Sequence, residues 1–235
     1  MPPQSAHRET RTLLERDRLG ALVRLQPADA GTAAGSIVER DTGVARWWLR
    51  RLARRLAARE ASVLAALARL PQVPRLAAWD GRRLQREWIE GSPMPRAQPS
   101  DRVYFREALR LLRRMHAAGV VHNRLAHAPN RLVTRDGSPA LIDFQWALRP
   151  RYRSRWFRAL AYEDLRDLLG HKHARCPGAL TARQRDILAH GSCFSRPWVR
   201  TAWPLELAVA RLVRGDQGSI FSNSSVGASP GRKYR

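Results

Sequence analysis

Three residues at fixed spacing carry the chemistry this chain could perform. His122 and Asn130 bracket HNRLAHAPN (122–130), and Asp143 lies in LIDFQWA (141–147). Asp143 closes a short apolar run and offers a hard anionic oxygen of the kind Mg2+ takes. Asn130 adds a neutral carbonyl oxygen that completes a metal shell without more charge. Such a pair suits a metal-bound polyphosphate and phosphoryl transfer, a reaction that rests on positioning and electrostatics. Where a carboxylate would be wanted, two residues after His122, stands Arg124. An arginine stays protonated and cannot act as a base. Either Asp143 or Asn130 alone could simply cap a turn; it is their joint placement around a hairpin that points to a site.

Glu60 is a separate signal. In RWWLRRLARRLAAREASVLAALARL (46–70), Leu49, Leu52, Leu56, Val63, Leu67 and Leu70 recur at steps of three and four. The stripe skips one place, and that place is Glu60. A carboxylate on an apolar stripe is costly unless paired. The alternative is a glutamate at the edge of the stripe, paired with a neighbouring arginine at the surface.

The elements that must position these residues follow from pattern and punctuation. Residues 1–18 are polar and expected to be a flexible N-terminus. ALVRL (21–25) and SIVER (36–40) read as strands, and DAGTAAG between them reads as a hairpin loop rather than a phosphate cover. After the long helix, 71–94 reads as two strands turning at Asp80-Gly81, then a Gly-Ser-Pro break. A second helix is expected from about Asp101 to Ala118, ended by Gly119. RLVT (131–134) and PALIDF (139–144) form a hairpin around RDGS. Helices follow in AYEDLRDLLGHK, in TARQRDILAH and after Pro204, and the tail 216–235 is low in complexity.

That order resembles the protein kinase fold: α+β and two-lobed, with a small β-rich N-lobe carrying one long helix and a larger α-rich C-lobe. The motifs resemble the bacterial RIO-like serine/threonine kinases. LLRRMHAAGVVH resembles the helix leading into the catalytic loop, HNRLAHAPN the loop itself, and LIDFQ the metal-binding segment. The resemblance covers roughly residues 19–190. It implies an N-lobe over 19–91, a C-lobe over 92–215, and ATP with Mg2+ as cofactors. It makes Asn130 and Asp143 the metal ligands and puts Arg124 at the catalytic aspartate position. Glu60 would hold the basic residue that grips the nucleotide phosphates. With no lysine before Lys172, Arg40 at the end of SIVER is the best positional match. Arg is planar and always charged, so it is not interchangeable with lysine at a tight site. Glu87–Gly91 would be the hinge that receives adenine. The substrate implied is a hydroxyl of a protein or a small molecule. The same residues also admit a pseudokinase acting as a nucleotide-dependent binding module, or a sugar or lipid kinase at the inner membrane face.

The charge is extreme: 43 Lys+Arg against 20 Asp+Glu give +23, nearly all of it arginine. Nucleic acid, anionic lipid and polyphosphate all answer to such a surface, but no nucleic-acid reading motif accompanies it. Trp47-Trp48 beside paired arginines suits contact with an anionic membrane surface, although the regulatory-helix reading already accounts for the periodicity. Two cysteines do not make a disulfide framework. His171, His173, Cys176 and Cys193 lack zinc-ligand spacing. Without an apolar leader or a membrane-length apolar run, a cytoplasmic location is expected, with peripheral contact at the inner membrane face.

Overall fold

The computed structural model describes residues 9–27, 35–99, 101–150 and 152–190. The helix expected after Pro204, the tail, Cys193 and most of the DAGTAAG loop lie outside the described residues.

The architecture is α+β. A five-stranded antiparallel sheet has the order β1-β2-β3-β5-β4, built from β1 (Glu9–Asp17), β2 (Gly20–Pro27), β3 (Ile37–Asp41), β4 (Leu76–Trp79) and β5 (Arg83–Glu87). Helix α1 (Arg50–Ala66) is inserted between β3 and β4 and packs against β4 and β5. A helical region follows, holding a three-stranded antiparallel sheet of β6 (Gly91–Pro93), β7 (Arg131–Thr134) and β8 (Pro139–Leu141). Its helices are α2 (Met94–Ala97), α3 (Arg102–Ala117), α4 (Arg155–Arg175) and α5 (Ala182–Ala189).

The first sheet starts earlier than expected. Residues 9–17, read as a flexible terminus, form β1 and pair with β2 from Glu9↔Pro27 to Asp17↔Gly20. This edge strand is polar on both faces and leaves Leu13 half exposed, so backbone pairing rather than burial defines it. Its turn is pressed close to β3. Gly20 has φ +150, and a Cβ there would stand 2.4 Å from the Asp41 carbonyl oxygen.

α1 and its flanks bury the stripe their leucines mark, with Leu49, Leu56, Val63, Leu67 and Leu70 all inside and Leu52 alone left out. Ala53, Leu56, Ala57, Glu60, Ala61, Val63 and Leu64 are buried, whereas Leu52 stands at the exposed edge. Small alanines let the helix approach the sheet closely. α3 is bounded as its sequence dictates. Asp101 accepts from the Val103 N–H at 2.7 Å. At the other end Gly119 is left-handed at φ +78, and the Gly119 and Val120 N–H groups donate to the His116 and Met115 carbonyls. The Gly-Ser-Pro break is itself a short strand, with Gly91 opposite Thr134. The main core joins α1, α3 and α4 through Leu64, Phe105, Leu112, Met115, Phe144 and Leu169.

Candidate functional site

Glu60 is fully buried. The surface alternative is thereby corrected, because the carboxylate faces the sheet and meets two arginines. Its Oε2 lies 3.7 Å from Arg40 Nε, and its Oε1 lies 3.4 Å from Arg86 Nη1. Strand pairing explains the geometry. Arg40 on β3 stands opposite Leu84, and Arg86 on β5 opposite Val38, so both project from the face that buries Val38 and Leu84. Neither Glu60 oxygen accepts a hydrogen bond; the cluster is held by charge. Burial acts to lower the Arg40 pKa, but Glu60, Asp143, Asp17 and Glu15 outweigh it and raise it.

The β7–β8 hairpin brings Asn130 and Asp143 together. Asn130 ends a tight turn, Ala128–Asn130, just before β7, and Asp143 follows β8 by two residues. The Ile142 N–H donates to the Asn130 carbonyl at 3.0 Å, which ties the residue before Asp143 to Asn130. Asn130 is buried, and its Nδ2 donates to the Arg124 carbonyl at 3.1 Å. That bond orients the amide and leaves Oδ1 as its remaining acceptor. Asp143 is left-handed at φ +64, a conformation Asp adopts more readily than most side chains. Its Oδ1 is closed off from solvent and has no hydrogen-bond partner. Burial acts to raise the Asp143 pKa, yet Arg40, Arg86, Arg124 and His122 together hold it below the usual carboxylate range. The carboxylate is therefore ionised near neutral pH.

Arg124 belongs to the same electrostatic unit. Its guanidinium lies 5.8 Å from the Trp146 ring centroid and draws the Asp143 pKa down. It presents a fixed cation within the field of the Asp143 carboxylate.

A buried scaffold holds this loop. Asp164, on α4, accepts from the His122 N–H at 2.7 Å, from the Asn123 N–H at 2.8 Å and from His116 Nε2 at 3.1 Å. These bonds fix Asn123 in its left-handed conformation, φ +61. His122 is fully buried, and burial holds its pKa below the ordinary value. Its Nε2 lies 3.0 Å from the Ile142 carbonyl, which can only accept, so Nε2 carries the ring proton. Below the loop Arg131 is buried and donates from Nη1 to the Leu125 carbonyl. On the α1 side, Arg59 donates to the Gln145 carbonyl at 2.9 Å, tying the helix that carries Glu60 to the turn after Asp143.

The structure thus brings together Arg40, Glu60, Arg124, Asn130 and Asp143. It does not bring Glu87 to them. The Glu87 side chain is exposed at the end of β5, and the Glu87 and Trp88 N–H groups donate to the Arg75 and Ser36 carbonyls. Farther along the same segment, Glu90, Gly91 and Ser92 line a groove of about 390 Å3 with Val133 and Thr134.

Sequence reasoning missed Arg86, Asp164 and Asp17. Arg86 shares strand parity with the apolar Leu84, which was a usable signal. Asp17, at the end of β1, is drawn to Arg40 while burial and the nearby Asp143 raise its pKa. Among the described residues, no three His, Cys, Asp or Glu side chains gather as a metal cluster. Mg2+ does not require one, since it is held by one or two carboxylates with substrate phosphates completing its shell. The ionised, unpartnered Asp143 Oδ1 beside Asn130 fits that arrangement. No family model matches this chain, and no curated protein matches it.

Proposed function

We propose that this chain is a nucleotide-binding protein of the protein-kinase-like fold, of the RIO-like type, which takes ATP with Mg2+ and transfers phosphate slowly to a hydroxyl. The observation that carries this reading is the burial of Glu60 between Arg40 and Arg86, in the same field of charges as Asp143. A fully buried carboxylate with two arginines is expensive to build for stability alone. It suits a site where guanidinium groups take phosphate oxygens.

In this reading Arg40 and Arg86 grip the nucleotide phosphates, and Glu60 fixes the direction of both side chains. Asp143 and Asn130 would hold Mg2+, and the ion would supply charge neutralisation for the phosphates. Arg124 adds a third cation that can meet a transferring phosphoryl oxygen. No carboxylate in the loop accepts the hydroxyl proton, so that proton leaves to water and the rate falls by about 10²–10⁴-fold. The acceptor is a serine or threonine hydroxyl of a protein, or a small-molecule hydroxyl.

Arg124 itself favours a second reading, a pseudokinase in which bound nucleotide sets the conformation of a binding module. Conversion of ATP to ADP by the full chain, followed with and without Arg124→Asp, separates the two. The phosphotransferase reading expects slow ADP formation in the wild type and a gain of roughly 100-fold or more in the variant. Nucleotide binding with no ADP formed by either protein supports the binding module.

A further inference from the structure

The segment 42–59, TGVARWWLRRLARRLAAR, contains six arginines and no acidic residue. Its buried side is already used, since Leu49, Ala53 and Leu56 pack with Leu19 and Trp146. Its outer side is not. Trp47 is 82% exposed, Trp48 44%, Val44 46% and Leu52 36%. Arg50, Arg51, Arg54 and Arg55 are exposed on the same side, and none of them forms an ion pair among the described residues. Within α1, Arg51 and Leu52 share this side with Arg54 and Arg55 one turn on. Trp47 and Trp48 extend it in the turn that leads into the helix.

We propose that this outer face of α1 docks the protein on an anionic phospholipid surface. Unpaired arginines fit the headgroup phosphates, and two exposed indoles fit the interface between headgroups and acyl chains. The exposed aliphatics decide between anionic partners. Val44 and Leu52 gain nothing against a nucleic acid backbone, whereas a bilayer interface buries them. Glu60 lies on the opposite, buried side of the same helix, so docking leaves the Arg40–Glu60–Arg86 cluster untouched.

The test is flotation of the full chain with vesicles of 3:1 phosphatidylcholine and phosphatidylglycerol, or of phosphatidylcholine alone, at 0.15 M salt. We expect binding to the anionic vesicles only. Trp47→Ala/Trp48→Ala, which leaves the charge unchanged and is checked for a retained cooperative melting transition, weakens it by roughly 10-fold. Arg51→Gln/Arg55→Gln weakens it by roughly fivefold per arginine. The same charge change on the exposed residues of α3, Arg113→Gln/Arg114→Gln, weakens it less than twofold. Equal losses from the two arginine pairs would mean diffuse attraction by net charge and would overturn the proposal. So would undiminished binding by the tryptophan variant, or binding of an RNA 20-mer with no binding to either vesicle.

Discussion

Glu60 on α1 faces Arg86 on β5 at 3.4 Å, closer than the 3.7 Å that separates it from Arg40 on β3. Two adjacent strands thus converge on one carboxylate of the helix that crosses them. Removing that carboxylate strands two buried guanidinium groups. Glu60→Ala is expected to lose about 3–5 kcal/mol of stability, measured by urea denaturation. Arg40→Leu loses less, because Arg86 still neutralises Glu60. Equal losses from the two variants would show that Arg86 contributes nothing to the pair.

Asp164 organises the loop from below by accepting two main-chain N–H groups in its interior. Asp164→Ala leaves the His122 and Asn123 N–H groups without their acceptor, at about 2–5 kcal/mol for the two together. Asp164→Asn retains one carbonyl oxygen and loses roughly half as much. The denaturation midpoint reads both, and wild-type stability in Asp164→Ala would rule out this anchoring.

Two groups beneath the loop titrate in opposite senses. Burial, with Asp164 and Glu163, pushes the Asp167 pKa up to about 7, and burial with Arg131 pushes His171 down to about 4. Between pH 4 and 7 the folded protein keeps a proton on Asp167 that the unfolded chain has lost, so this group makes stability fall as pH rises. Between pH 4 and 6.5 the unfolded chain protonates His171 while the folded protein does not, so this group makes stability rise with pH. In the wild type the two slopes oppose each other. Melting temperature against pH is expected to rise through pH 4–6.5 in Asp167→Asn and to fall through pH 4–7 in His171→Gln. Identical profiles in the two variants would contradict the assignment.

Much of this site was legible because it depends on local pattern. The gap in the α1 stripe marks Glu60, and the hairpin signal at Asp136-Gly137 places Asn130 and Asp143 at neighbouring strand ends. What escaped notice depends on partners distant in sequence. Arg86 looks like a surface charge in RLQRE until Leu84 is seen to point inward. Asp164 meets His122 across 42 residues, a closure no local pattern encodes. Strand β1 lacks apolar alternation because it lies at a sheet edge. Of the α1 stripe only Leu52 lies outside, and the alanines at 53, 57 and 61, silent in an apolar pattern of leucines, complete the buried face.

Melting temperature followed against ATP, with and without Mg2+, tests most directly whether Asp143 and its arginines form a nucleotide site. At ATP near 100 times its Kd the full chain should gain about 2.7 kcal/mol, a rise of roughly 5–10 °C. The rise should require Mg2+ and disappear in Asp143→Ala. No rise in the wild type, or an equal rise in Asp143→Ala, would contradict a nucleotide site at Asp143.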